Sequence, residues 1–362
     1  MRVRFLNLSI ENEKERKNLL TAIDKVFQHG QLVLGPEVEE FEEKAANYCG
    51  VKYAVGVNSG TDALYLALRS LDIGPGDEVI TSCLSWIATA NAIALTGAKP
   101  VFADIKDNFN MDPEKVEELI TAKTKAIVPV HFTGKICDMA AIMEIVHHNN
   151  LSLVEDAAQA FGATYLGRKA GSFGQVAAFS LNPMKVFAAC GEAGVIVTND
   201  SDIQAKLNAL RYNGTPDKTE AHYISLNARI DTLQAAILLH RFKSLDESIE
   251  KRRKAAQYYS EHLHHLVKTP GEDENCQDVF YTYNILCEKR DQLKDFLFSK
   301  EIETKIHHPL LMPIHHAYKD ESQSWPTGLK VTAASLCLPL HEKISTEEQD
   351  YVIEAIKYFY GQ

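Results

Sequence analysis

The sequence predicts an α/β protein: a large domain with a mostly parallel, seven-stranded sheet between helices, then a smaller α+β C-terminal domain. Three observations predict it. Seven short apolar runs, rich in β-branched residues, punctuate residues 53–199 about every 20–28 residues. Amphipathic stretches of helical spacing fit between several of them, the signature of a parallel sheet with crossover helices. After about residue 200 the alternation gives way to one long helical pattern and then to a mixture of short strands and helices.

The elements follow in order. Residues 11–29 carry charged and apolar residues at helical spacing, and GQLVLGP at 30–36 is a glycine-bounded loop. Residues 36–48 read as a helix with Pro36 near its start. The strands are YAVGV (53–57), EVITS (78–82), KPVFADI (99–105), KAIVPV (125–130), LSLVED (151–156), VAAFSL (176–181) and GVIVTN (194–199). Helices fit at 61–72, 87–96, 112–122 and 138–149. The near-continuous apolar character of the strands fits a sheet covered on both faces. Residues 201–214 are helical, and 231–263 read as one or two long helices. Residues 277–362 mix strands (FYTYNILC, SLCLPL) with helices (DQLKDFLFSK, TEEQDYVIEAIKYF). The domains are therefore placed at 1–240 and 241–362.

Composition excludes several classes. With 45% hydrophobic and 24% charged residues, the 362-residue chain has ordinary globular composition, and no disordered tract is needed to explain it. The net charge of −11 argues against a general nucleic-acid binder, yet leaves room for an anionic small substrate held by a few cations and backbone N–H groups. Seven scattered cysteines form no CxxC and read as reduced thiols. The N-terminal segment turns polar too early for a signal peptide, and no apolar run reaches the ~20 residues of a membrane span. The sequence is thus expected to work in the cytoplasm, away from membranes.

In a parallel sheet, ligands bind beyond the strand carboxyl ends. There SGTDAL (59–64) follows a strand and opens a helix, either as a simple N-cap or as a backbone cradle for an anion. Trp86 follows EVITS, either as core or lying flat on an aromatic ligand. VEDAAQA ends a strand with Glu155 and Asp156, where a carboxylate is costly without a cation or hydrogen bonds. A protonated ring nitrogen would supply that partner, and Gln159 would face the same space. In FSLNPMKVFAACGEAG, Lys185 stands among apolar residues. Burial there would lower its pKa and make it nucleophilic, as a Schiff-base lysine must be.

Together SGTDAL, EDAAQAFGA, SLNPMKVFAACGEAG and LNARIDTLQAAI (226–237) resemble the DegT/StrS family of sugar aminotransferases, a fold-type I branch of the aspartate aminotransferase superfamily. The resemblance runs from GQLVLGPEVEEFE to SLCLPLH. It implies pyridoxal 5'-phosphate as cofactor, with Lys185 as Schiff-base lysine and proton shuttle. Thr61, the backbone around Gly60 and Asp62, and Ser180 would hold the phosphate. Trp86 would stack on the ring, Asp156 would pair with its nitrogen, and Gln159 would bond its phenolic oxygen. Asn227 would reach the phosphate in the neighbouring subunit, which implies a homodimer with shared sites. The implied reaction moves an amino group from L-glutamate to a keto-sugar, a nucleotide-linked 3- or 4-keto sugar bound for a surface polysaccharide, glycan or natural product.

The chain departs from the family pattern at Leu181 and Asn182, where an aromatic and a histidine are common, and in GEAG for GEGG. These changes leave open a small phosphorylated ketone, such as dihydroxyacetone phosphate, or a keto-cyclitol as acceptor. A cofactor-binding regulatory protein without turnover is the rival from another class. Intact Lys185 and Asp156, and no basic helix-turn-helix segment, favour the enzyme. The histidine pairs at 147–148, 264–265, 307–308 and 315–316 are adjacent residues that share no helix face, so no metal site is expected. His307 and His308 fall where the family's C-terminal domain closes over the substrate. Arg229 is either an anion contact or a surface or interface salt bridge.

Overall fold

The computed structural model describes residues 1–271, 274–319 and 323–361. Two helices come first, α1 (Glu13–His29) and α2 (Pro36–Cys49). Asn12 caps α1 through its side chain, and Gly30 and Gly50 end the two helices in left-handed geometry. Then β1 (Tyr53–Val57), α3 (Gly60–Ser70), β2 (Glu78–Ser82), α4 (Ala88–Leu95), β3 (Lys99–Ala103), α5 (Pro113–Glu117), β4 (Thr124–Val128), α6 (Met139–His148) and β5 (Ser152–Asp156) alternate strictly. A hairpin, β6 (Thr164–Tyr165) and β7 (Arg168–Lys169), precedes β8 (Val176–Ser180) and β9 (Gly194–Thr198). Helices α7 (Ser201–Leu210), α8 (Thr232–Phe242) and α9 (Leu245–Leu263) follow. The remainder holds β10 (Cys276–Gln277), β11 (Tyr283–Leu286), α10 (Arg290–Ser299), α11 (Pro326–Ala334), β12 (Ser335–Leu338) and α12 (Thr346–Tyr360).

The main sheet has seven strands in the order β1-β9-β8-β5-β4-β2-β3. Strands β3, β2, β4, β5 and β8 are parallel neighbours, while β9 runs antiparallel to both β8 and β1. All strands but β9 therefore end on one edge, and Gly194 at the start of β9 pairs there with Ser180 and Val57. Alternate strand residues feed two apolar clusters. Ile80, Ile127, Leu153 and Phe179 pack with α2, α6 and α8 on one face. Val79, Val128, Val154 and Ala178 pack with α3 and α7 on the other. This is the two-sided burial that the continuous apolar runs require. No helix among the described residues is long and apolar enough to cross a membrane.

The helix expected over 112–122 is shorter than its periodicity suggests. α5 ends at Glu117, and Leu119 and Ile120 turn through tighter backbone bonds. Thr121 N–H then donates to the Thr124 hydroxyl at 2.9 Å, a local bond that competes with helix continuation and delivers Thr124 into β4. The long pattern over 231–263 is two helices, parted at Lys243 and Ser244. A separate cluster joins α9, β11, α10, β12 and α12, and Val3 from the N-terminal arm is buried in it. The arm is held by Val3 N–H to the Glu301 carbonyl at 3.0 Å.

Candidate active site

At the shared edge, β1 hands over to α3 through Ser59, whose hydroxyl accepts from Asp62 N–H at 3.1 Å. The first N–H groups of a helix have no partner within it, so those of Gly60 and Thr61 are available to an anion. Gly60 has no room for a side chain: a Cβ would come within 2.5 Å of Ser180 Cβ. The end of β8 thus presses on the start of α3, setting the Ser180 hydroxyl beside that N-terminus. Burial raises the Asp62 carboxyl above its usual range.

Asp156 closes β5 almost fully buried. Its Oδ2 accepts from the Thr89 hydroxyl at 2.7 Å and its Oδ1 from Ala158 N–H at 3.2 Å. Ser85 continues the chain to Thr89 at 2.9 Å. Desolvation raises the Asp156 pKa, which Thr89, Ala158 and Lys185 oppose. Among the described residues no cation pairs with it. Its neighbour Glu155 points to the other side, where it accepts from the N–H groups of Gly171, Phe173 and Gly174 and meets His131 at 3.0 Å. Gln159 Oε1 accepts from Thr133 N–H at 2.8 Å, leaving its Nε2 as the donor free for the cavity. Thr133 is left-handed at φ 60°, an uncommon place for a β-branched residue.

The lysine loop between β8 and β9 is pinned from several sides. Phe187 is buried in an aromatic cluster with Phe41, Phe161 and Phe242. Arg241 donates to the Ala188 carbonyl at 2.6 Å, and Cys190 N–H donates to Gln234 Oε1 at 3.0 Å. The segment 226–237 thereby supports the lysine loop through α8. Lys185 itself faces the cavity with its Nζ 4.4 Å from the centre of the Tyr281 ring. Burial pulls its pKa down to about 8, against the opposing pull of Asp156 and Glu192. The nucleophilic amine is therefore a minority form at neutral pH and predominates above about pH 8.

These residues enclose a cavity of about 600 Å³, which also takes in Trp86, Lys305, His307 and His308. Trp86 is 62% exposed, so the core alternative for it does not hold. The His308 ring lies 5.6 Å from Trp86 and 3.9 Å from His307. Asn227 and Arg229 lie outside the cavity. Arg229 Nε donates to Asn227 Oδ1 at 2.8 Å and its guanidinium covers Tyr212 at 4.3 Å, with no salt bridge among the described residues. Asn182 Nδ2 donates to Glu192 Oε1 at 2.6 Å, so two segments that depart from the family pattern meet at the cavity wall. No group of three or more potential metal ligands occurs among the described residues.

Residues 13–357 match the family model described as the DegT/DnrJ/EryC1/StrS aminotransferase family. The chain belongs to this family. It is 39% identical over 99% of both chains to a Geobacillus stearothermophilus protein named pleiotropic regulatory protein. It is 38% identical to the dTDP-3-amino-3,6-dideoxy-alpha-D-galactopyranose transaminase of Aneurinibacillus thermoaerophilus, over 97% of this chain and 98% of that one. The structure of S. venezuelae DesV superposes with a TM-score of 0.97 at 37% identity, covering 100% of this chain and 99% of that one. Bacillus subtilis NtdA, solved with bound cofactor PMP, gives 0.94 at 31% identity, covering 100% and 86%.

As a DegT/DnrJ/EryC1/StrS aminotransferase the chain depends on pyridoxal 5'-phosphate, and its residues fit that group. A buried carboxylate with no salt-bridge partner among the described residues, Asp156, faces a cavity that a protonated ring nitrogen would complete. Two N–H groups and a hydroxyl stand at the N-terminus of α3 for a phosphate, with the side-chain space of residue 60 closed. The sequence alone did not single out Thr89, Thr133, Tyr281 or Lys305. Thr89 stands within α4 and Tyr281 just before β11, so only the fold brings them to the lysine.

Proposed function

We propose that this enzyme transfers an amino group from L-glutamate to a nucleotide-linked 3- or 4-keto sugar, in the cytoplasm, as a homodimer with shared active sites. The observation that carries the reading is Lys185, its amine pulled down to about 8, in one cavity with the buried Asp156 carboxylate. The keto-sugar part is supported by the transaminase name of the A. thermoaerophilus relative.

Bound pyridoxal phosphate supplies an electron sink for a carbanion at the donor's α-carbon. The chain's own groups hold and steer it. The Gly60 and Thr61 N–H groups with the Ser180 hydroxyl would bind its phosphate, and Trp86 would cover the ring. Asp156, whose carboxyl is raised by burial against the opposing bonds from Thr89 and Ala158, would accept from the ring nitrogen, and Gln159 Nε2 would donate to the phenolic oxygen. Lys185 Nζ carries the proton taken from the donor's α-carbon. His307 and His308 contact the substrate from the opposite wall. We place the division between large and small units at residues 240/241, close to the break between α8 and α9.

The dimer reading rests on the strip around Asn227. Leu32, Val33, Tyr223 and Ile224 are exposed, Ile224 by 91%, and backbone pairs tie residues 32–33 to 231–232. Exposed apolar residues of this kind support an interface there. Asn227, outside its own chain's cavity, would complete the partner's phosphate site. Mixing Lys185→Ala protein with Asn227→Ala protein tests this. Recovery of activity above both parents supports shared sites; no recovery in verified hetero-dimers contradicts them.

A second reading, a regulatory protein without turnover, is favoured by the name of the G. stearothermophilus relative. It makes no use of a lysine poised near neutral pH. L-glutamate added to the cofactor-loaded protein decides between them: loss of the visible cofactor absorbance supports transamination, and an unchanged spectrum supports regulation.

A further inference from the structure

The cavity holds a second amine. Lys305 lies on a segment whose backbone pairs with Cys337, donating to it at 3.2 Å and accepting from it at 2.8 Å, which fixes the stretch against β12. The side chain is exposed, lines the same cavity as Lys185, and has no acidic partner among the described residues. Both acids of that cavity are already engaged. Asp156 is held by Thr89 and Ala158, and Glu192 accepts from Asn182.

Next to Lys305 are two imidazoles with buried ring nitrogens that have no hydrogen bond among the described residues. His307 is 9% exposed, and neither of its ring nitrogens has a hydrogen bond; His308 Nε2 lacks one too. Burial and the nearby amines of Lys185 and Lys305 keep both rings neutral, with His308 pushed down to about 3. A buried polar atom without a partner is destabilising. Such a cost is relieved when a ligand brings the missing partner. One free cation beside neutral groups that each offer a donor and an acceptor is a receptor for an anionic group with polar neighbours.

We propose that Lys305 binds a carboxylate of the substrate, with His307 holding the polar group next to it. This rests on the aminotransferase reading above and names the substrate chemistry it would select. The carboxylate has two sources: the amino-dicarboxylate donor, or an acceptor whose sugar is a keto-hexuronate. In either case Lys305 acts on binding rather than on proton transfer. Its loss therefore raises KM and spares the limiting rate.

The test compares wild type, Lys305→Met and Lys305→Arg as full-length, cofactor-loaded protein. Titration calorimetry measures glutarate, an unreactive dicarboxylate, and single-turnover absorbance follows L-glutamate. A nucleotide-linked 3-keto-hexuronate and its neutral 3-keto-hexose counterpart are measured on the aminated enzyme and by calorimetry. Lys305→Met is expected to weaken a carboxylate ligand about 10-fold, as loss of a charge-assisted contact does. Limiting rates should stay within about twofold, and Lys305→Arg should restore most of the affinity. Weakening of glutarate and L-glutamate assigns the donor; weakening of the keto-uronate alone assigns the acceptor. Unchanged affinities for all four ligands overturn the proposal. So does equal weakening of the uronate and the neutral sugar with glutarate unaffected, which would put the nucleotide diphosphate on Lys305. If L-glutamate leaves the wild-type spectrum unchanged, the aminotransferase reading fails, while the calorimetric arms still judge Lys305.

Discussion

On the sheet side of the cavity, the key side chains already have at least one partner within the protein. Asp156 is bonded by Thr89 and Ala158, Gln159 by Thr133, and the lysine loop by Gln234 and Arg241. On the facing wall, both His307 nitrogens and His308 Nε2 have none, and Lys305 has no acid, among the described residues. On the proposed function, the two sides serve different ligands. The sheet side is rigid and preorganised for a cofactor that stays, because second partners fix its side chains before anything binds. The facing wall leaves its hydrogen bonds to a ligand that comes and goes. Changes on the sheet side should therefore damage cofactor binding or chemistry, and changes on the facing wall should alter substrate affinity.

The largest effect expected is at Lys185. Lys185→Ala should lower the single-turnover rate with the amino donor by about 10⁴-fold or more, since nucleophile and proton carrier are lost together. A loss below tenfold would break the assignment. Asp156→Asn keeps the shape but removes the charge, and should cost about 10²-fold in the same assay and weaken cofactor retention on dialysis. Thr89→Val removes one donor to Asp156 and should cost about 10-fold, with Thr89→Ser recovering most of it. Fluorescence titration of the cofactor-free variant should show the matching loss of affinity; unchanged affinity would make Thr89 merely structural.

The smallest effect is a pH profile. Only the neutral amine of Lys185 captures an aldehyde, and its pKa lies at about 8 rather than 10.5. Below pH 8 the ammonium form predominates, so the rate of cofactor capture by cofactor-free protein should rise with pH. It should level off above about 9, as seen in stopped-flow absorbance. A rate that keeps rising to pH 10 would mean that the cavity does not perturb the lysine.

The sheet and the motifs at its edge were legible because local pattern and strand-end position carry them. Continuous apolar runs mark strands buried on both faces, and the turns after them hold Gly60, Asp156 and Lys185. The short α5 was not legible, because Thr121 and Thr124 form their turn through a side chain that periodicity ignores. Nor were Thr89 and Tyr281. One reaches Asp156 from a residue 67 positions away in sequence, and the other meets Lys185 from the far side of the cavity, so no local spacing announces either. Trp86 could be read two ways in the sequence, and only its exposure resolves it.

The central claim, a keto-sugar aminotransferase whose facing wall selects the substrate, is tested most directly by the second half of the reaction. Protein aminated with excess L-glutamate and freed of donor is offered ketones one at a time, and the return of the visible cofactor absorbance is timed. The account predicts fast return with a nucleotide-linked 3- or 4-keto sugar and none on the same timescale with dihydroxyacetone phosphate or a keto-cyclitol. Return with a small phosphorylated ketone alone would contradict it, and would direct attention to the Asn182–Glu192 contact as the feature that reshapes the pocket.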